Sequence, residues 1–377
     1  MRCIPGLTKN TINIRCIRVL HVGPGHGQRG GIASVLCELS AQRAMFAEKA
    51  VHISFAETHG FRQVGGIGRF VWFDVPRFIL AARRSDIVHF HVADRGSFYR
   101  KSFLCALAKL LRCRVVFHLH SGNFDRFANT SGAVTRAIIR WFIGCADAAA
   151  GVSHACARVL NDFRGTKGDA LVIGNAAVDA QRASTNCVFL PSFGARPYIA
   201  FAGRLTEQKG VDTLIDALSM LARNGCEIEL HLAGEGDVTR WRAAAEARGI
   251  ADRVRFLGWL DGADKARFYQ GATVFCLPSQ FESFGIVALE AMFHGVPVVS
   301  SRVGGLSELV DDGVTGILVE SGDAGALARS LQRIVSDALL RDRMGAAGRE
   351  RATRFYTSEA MADRYVDCYR SIVRGAR

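Results

Sequence analysis

Tyr198-Ile199-Ala200-Phe201-Ala202 runs uncharged into Gly203-Arg204-Leu205-Thr206-Glu207-Gln208-Lys209-Gly210, and a segment of helical spacing, 212–223, follows. A short apolar run, a glycine turn and an amphipathic helix make one βα unit of a parallel sheet. The unit recurs downstream at 228–233 and 238–248, at 254–257 and 265–271, and at 274–277 and 286–293, before a last run at 298–300. Upstream the same alternation reads 17–22 and 31–45, then 50–55, then 87–91 and 97–111, then 115–120 and 134–145. Two series of this kind predict an α/β protein of two Rossmann-like doubly wound domains facing across a cleft, the default place for a ligand.

The length agrees. At roughly 150 residues per domain, 377 residues make two units with full cores, and 49% hydrophobic residues can fill them. The expected division is an N-terminal domain 1–185, a polar linker 186–197, a C-terminal domain 198–357 and a helix 358–377 packing back toward the N-terminal domain, with Tyr365, Cys368, Tyr369 and Ile372 on its apolar side.

No run approaches the ~18 to 20 apolar residues of a spanning helix, since charges break candidates such as 70–82. Residues 1–18 lack the apolar core and cleavage site of an export signal, so a cytoplasmic chain is expected. The eleven cysteines include no C-x-x-C pair, and read as reduced, buried hydrophobes. Charge is the uneven property: residues 1–200 hold 26 Lys and Arg against 11 Asp and Glu, the remainder 22 against 24. A basic N-terminal half suits an anionic lipid surface, a pyrophosphate-bearing acceptor or nucleic acid. Aromatic residues interleaved with the cations are sparse, which disfavours nucleic acid.

Three segments carry chemistry. The strand ending at Val22 enters Gly23-Pro24-Gly25-His26-Gly27-Gln28-Arg29-Gly30-Gly31, a loop whose glycines let backbone approach an anion. Its spacing is not the dinucleotide fingerprint, and no clear carboxylate ends the second strand, so a nicotinamide enzyme is disfavoured. The turn 203–210 sets Arg204 and Lys209 far enough apart to bracket one diphosphate. The most specific segment is Pro278-Ser279-Gln280-Phe281-Glu282-Ser283-Phe284-Gly285-Ile286-Val287-Ala288-Leu289-Glu290-Ala291-Met292. There Glu290 sits among apolar helix residues, where a carboxylate is costly without a polar partner. A ribose diol offers two matching hydroxyl donors.

This last segment resembles the Glu, seven residues, Glu motif of the retaining glycosyltransferases of family four, which have the GT-B fold. The likeness runs through nearly the whole chain, in order: Gly30-Gly31, Gly203-Arg204-Leu205 to Lys209-Gly210, Ala233-Gly234-Glu235-Gly236, Phe256-Leu257-Gly258, Glu282 to Glu290, Gly304-Gly305 to Glu308, and 313–319. The resemblance implies that Arg204 and Lys209 hold the donor diphosphate, with Gly203 and Gly234 beside it. It places Glu290 at the ribose and Glu282 at the hydroxyls of the transferred sugar. Phe284, Gly285 and Ile286 would present backbone N–H groups, Leu257 and Leu260 would flank the base, and Gly30 and Gly31 would close over the diphosphate or acceptor. His120, at the end of the run 115–120, would face the reacting sugar.

His118 shares a strand face with His120, and His89 and His91 repeat that spacing, so a metal pair is conceivable; the spacing announces no third ligand. No D-x-D triplet occurs, and Asp311-Asp312 reads as a turn before Gly313. No metal or cofactor is therefore expected, the chain's own cations and helix dipoles serving instead. The expected reaction is transfer of a hexose from GDP-mannose or a UDP-hexose, with retention, onto a saccharide acceptor. A lipid-diphosphate-linked acceptor in exopolysaccharide or lipopolysaccharide assembly, at the inner face of the cytoplasmic membrane, fits the basic half. Competing readings are a nucleotide-sugar epimerase of the same fold and a basic nucleic-acid-binding module.

Overall fold

The computed structural model describes residues 16–25, 28, 30–59, 66–165, 168–177 and 196–374. Two parallel six-stranded sheets follow one another along the chain. The first takes β1 (Ile17–Pro24), β2 (Val51–Thr58), β3 (Ile87–Val92), β4 (Arg114–Leu119), β5 (Ala148–Gly151) and β6 (Leu171–Val172) in the order β2-β1-β3-β4-β5-β6. The second takes β7 (Tyr198–Ala202), β8 (Glu229–Ala233), β9 (Val254–Gly258), β10 (Val274–Leu277), β11 (Val298–Ser301) and β12 (Gly316–Val319) in the order β12-β11-β10-β7-β8-β9. Each order reverses once, between β1 and β3 and between β7 and β10. Ligands of open parallel sheets lie beyond the carboxyl ends of the strands at such a reversal. The turn after β7 and the loop after β10 are the two segments singled out above.

β3, with the sequence Ile-Val-His-Phe-His-Val, is buried at every position, as a strand covered on both faces must be. On one face Leu20, Val88, Phe90 and Phe117 pack with Phe98 and Phe142, and the Phe90 and Phe142 rings meet edge to face at 5.7 Å. The other face holds His21, His89, His91 and His118, all fully buried, among Val19, Ile53 and Val116. Register sets His21 beside His89 and His91 beside His118.

The helix Ser358–Arg374 covers this imidazole layer, so the C-terminal segment crosses back to the first sheet as expected. Tyr365 and Tyr369, one turn apart, point into the layer, and Cys368 is buried beside them. Its far end is tied by hydrogen bonds from Arg114 Nη1 to the Ile372 carbonyl at 2.8 Å and from Arg370 Nη2 to the Lys49 carbonyl at 3.0 Å. The expected linker 186–197 lies outside the described residues except for its last two, and so do residues 1–15. Elements that the hydrophobic pattern left unmarked include β5, an Ala-Ala-Ala-Gly strand without a β-branched residue, β6, and the helices His154–Arg164, Ala324–Ser336 and Ala338–Phe355. A π-turn, Phe70–Asp74, interrupts the helical stretch 66–82.

Candidate active site

Two glycine contacts weld the turn after β7 to its neighbours. Gly203 and Gly234 stand back to back at φ +150° and +139°, and a Cβ on Gly234 would lie 1.8 Å from the Gly203 carbonyl oxygen. Gly210, at φ +72°, lies so close to the loop after β10 that a Cβ there would come within 2.0 Å of the Pro278 oxygen. The two loops therefore share one space, and Lys209 Nζ meets Glu282 Oε2 at 2.5 Å, with the glutamate side chain only 12% exposed. Arg204 is exposed and has no hydrogen-bond or ion-pair partner among the described residues. One expected diphosphate cation is thus uncommitted, whereas the other is neutralised by the expected sugar-binding carboxylate.

Glu282 is gripped through its backbone from both halves. Gly122, just beyond β4 of the first sheet, would put a Cβ 3.0 Å from the Glu282 carbonyl carbon, and Gly304 one 2.0 Å from the Glu282 oxygen. Gly305 donates its N–H to that same oxygen at 3.0 Å. Gly285, at φ +97°, opens the helix Ile286–Phe293, and buried Phe284 precedes it. The amides of Phe284, Gly285 and Ile286 lie where a helix N-terminus attracts an anion. Gly31 belongs to the N-terminal turn of the helix Gly31–Ala41, and its ideal Cβ would stand 3.8 Å from Ile286 Cδ1. Gly31 of the first half thereby comes up against the helix N-terminus of the second, while a Cβ on Gly30 would meet nothing within 4 Å.

Glu290 answers differently from expectation. Its Oε1 accepts from Lys265 Nζ at 2.5 Å and its Oε2 from the Tyr269 hydroxyl at 2.8 Å, both on the helix Gly262–Gln270. The protein itself supplies the polar partners that the sequence reading sought in a ribose. Lys265 and Tyr269 went unnoticed although their i, i+4 spacing sets them on one helix face. The pair expected to flank the base is half-buried: Leu257 and Leu260 bracket Trp259, and the Gly258 carbonyl accepts from the Gly234 N–H at 2.6 Å. Trp259 reaches across to a cavity of about 230 Å³ in the first half, lined also by Gly25, Gln28, Gly30, Phe55 and Glu57. Trp259 was not singled out within its loop, since a lone aromatic carries no spacing signal, and Glu57, at the end of β2, was weighed only as a poor match to a dinucleotide-binding carboxylate.

His120 sits at the carboxyl end of β4, partly exposed, with its Nε2 3.0 Å from His91 Nδ1. Burial, reinforced by neighbouring His118 and Lys101, pushes its pKa well below the ordinary imidazole value, so the ring is neutral. The expectation that no third ligand would join the His pair is corrected: His89, His91 and His118 bring ring nitrogens within 4.8 Å of one another, because two parallel strands in register supply them. Those nitrogens bond to other rings, to tyrosine hydroxyls and to a carbonyl.

Two family models account for most of the chain: Glycosyltransferase Family 4 over residues 19–182, and Glycosyl transferases group 1 over residues 188–351. The chain belongs to the family-four, group 1 glycosyltransferases. Its relatives include the phosphatidyl-myo-inositol mannosyltransferase of Mycobacterium leprae, 36% identical over 54% of this chain and 54% of that protein. The lipopolysaccharide core biosynthesis glycosyltransferase LpsE of Rhizobium meliloti is 33% identical over 55% and 56%. The chain thus spans about half the length of these curated relatives. Among solved structures, HepE of Anabaena in complex with UDP and glucose superposes with a TM-score of 0.73 at 19% identity, over 94% of this chain and 100% of that one. The architecture is GT-B.

One family position, Glu308, does structural work in this chain. Its carboxylate accepts the N–H groups of His154 and Ala155 at 2.8 and 2.9 Å, capping the helix His154–Arg164. Since Glu308 follows β11 and the capped helix follows β5, the contact ties the two halves together.

Proposed function

We propose that this chain transfers a hexose from a nucleotide-diphosphate sugar, with retention at the anomeric carbon and without a metal, to a saccharide acceptor. The observation that carries the reading is the meeting of Lys209, on the turn that also carries Arg204, with Glu282 beside the helix N-terminus at Gly285–Ile286, against which Gly31 of the other half stands. As the nucleoside diphosphate departs, negative charge grows on its oxygens and the sugar takes on oxocarbenium character. Arg204, Lys209 and the helix-end amides stabilise that charge because they are oriented before the bond breaks. The acceptor hydroxyl attacks from the face the leaving group vacates and yields its proton to a leaving phosphate oxygen. Glu282 holds the sugar's remote hydroxyls, exchanging its Lys209 partner for the diphosphate's arrival, and His120 faces the sugar. Lys265 and Tyr269 hold Glu290 in place to receive the ribose. The UDP complex of HepE supports a nucleoside-diphosphate donor, and the mannosyltransferase relative supports a hexose as the transferred group.

The acceptor is proposed to be lipid-diphosphate-linked, at an anionic membrane surface on the cytoplasmic side, in cell-surface polysaccharide assembly. No helix among the described residues is long and apolar enough to cross a membrane. What supports surface binding is the stretch 66–82, where Trp72 is 76% exposed and Phe73 57%, flanked by Arg69 and Arg77. Incubation with UDP-glucose or GDP-mannose and a lipid-diphosphate-linked sugar tests the whole reading. An α-configured product in the presence of EDTA is expected; no turnover with either donor, inversion, or an absolute need for a divalent cation defeats it. Anionic vesicles should retain the wild type at low salt and release a Trp72→Ser, Phe73→Ser variant; equal retention of both defeats the membrane assignment.

A further inference from the structure

The imidazole layer under the cleft holds a single file of hydrogen bonds, and its one fixed end determines the direction of all the others. The fixed end is the Ile173 carbonyl, 3.2 Å from His118 Nε2: a carbonyl only accepts, so His118 carries its proton on Nε2. Burial drives the pKa of His118 and of His21 down to about 3, so each ring has a single N–H. His118 Nδ1 is therefore an acceptor, and His89 Nε2, 3.1 Å away, must donate to it. His89 Nδ1 in turn accepts the hydroxyl proton of Tyr369 at 2.9 Å. That leaves the Tyr369 oxygen to accept from His21 Nε2 at 3.2 Å. His21 Nδ1 then accepts from His91 Nε2 at 2.9 Å, and His91 Nδ1 from His120 Nε2 at 3.0 Å. Reversing any one link sets two lone pairs or two protons face to face inside the core, where neither can turn to water.

We infer that this chain of four buried histidines and Tyr369 locks His120 as its Nε2–H tautomer, so that Nδ1 faces the donor sugar as an acceptor that takes a hydroxyl proton and cannot give one. Nδ1 has no partner among the described residues. The inference rests on the reading that His120 faces the sugar, and adds which hydrogen-bond role it plays there. Tyr369 is a positioning residue: it reaches the site only through His21 and His91, and it stands on the C-terminal helix, which thereby fixes the chemistry of a residue in the N-terminal half. Tyr365 serves as the control. Its hydroxyl is a second donor to His118 Nδ1, at 3.3 Å, outside the file.

Long-range proton–nitrogen NMR on the full chain labelled at histidine, with no ligand added, reads the tautomers directly, and loss of a signal pair in His120→Asn assigns His120. The wild type should show His120 with a bare Nδ1 and a protonated Nε2. Tyr369→Phe removes the hydroxyl that His21 Nε2 donates to; a buried bare nitrogen is cheaper there than an unpaired N–H, so the file reverses and the proton of His120 moves to Nδ1. Tyr365→Phe should leave His120 unchanged. A protonated Nδ1 in the wild type, an unaltered His120 in Tyr369→Phe, the same change in both tyrosine variants, or a stoichiometric divalent cation in the isolated protein overturns the inference. Because the spectra need neither nucleotide nor acceptor, they are decided separately from the transferase reading, which nucleotide binding at Arg204 and Lys209 tests.

Discussion

Lys209 holds Glu282 at 2.5 Å in a site where the glutamate is only 12% exposed. Under the proposed function, a diphosphate entering here competes for the ammonium, so binding of the leaving group and release of the carboxylate proposed to hold the sugar become one event. Replacing Lys209 by Met should lower kcat by about 10²- to 10³-fold, the usual cost of removing one preoriented charge-stabilising group, measured under saturating donor. An unchanged kcat would remove Lys209 from the chemistry. Glu290 is the contrasting case, since Lys265 and Tyr269 already satisfy both its oxygens. The sequence revealed that a carboxylate in that helix needs company, but the identity of the company depended on a helix 25 residues upstream, at Lys265, folding back against it.

At the scale of elements, the glycine positions decide which loops meet. Gly122 and Gly304 leave room for the Glu282 backbone, and Gly305 for that of Ser283 and Phe284, so any side chain there would strike the loop. Glu308 adds an electrostatic tie by capping the helix His154–Arg164 from the opposite half. Glu308→Ala should cost about 1 kcal/mol of stability, as loss of a helix cap does, seen as a lowered urea midpoint; no change would show that the tie carries no free energy. The second half was legible from β7 to β11, where apolar runs alternate with glycine turns and helical segments, but its helices Ala324–Ser336 and Ala338–Phe355 were left unmarked. Helix Ile286–Phe293 falls where the pattern put it. The first half was legible only in part: β5 is an alanine strand with no propensity signal, and the helix His154–Arg164 is polar over much of its length. The histidines at 89, 91 and 118 were visible one strand at a time, and His21 was not singled out. That they form one layer follows from register, which spacing within a single strand does not encode.

Over the whole molecule, that layer sets how the fold responds to acid. His21, His89, His91 and His118 are held neutral by burial and by one another, whereas an unfolded chain protonates them near pH ~6.5. Below that pH the unfolded state binds more protons, so stability falls as pH falls, by up to about 1.4 kcal/mol per pH unit for each ring, until the folded values are reached, about 3 for His21 and His118. Urea midpoints should drop steeply between pH 6.5 and 5, above the range where carboxylates titrate; a flat profile there would mean the rings are charged or solvated in the fold. Because Tyr365 and Tyr369 seal the layer from the far end of the chain, the C-terminal helix is part of the first half's core. The two halves then present their charges and helix end to one cleft, and the central claim is that a nucleoside diphosphate sits there. Thermal melting of the full chain with UDP, GDP and ADP tests it most directly. At ligand near 100 times Kd, stabilisation of about 2.7 kcal/mol is expected with at least one of the three, and is lost in Arg204→Ala and Lys209→Ala. No shift with any nucleotide, or shifts of wild-type size in both variants, would contradict it.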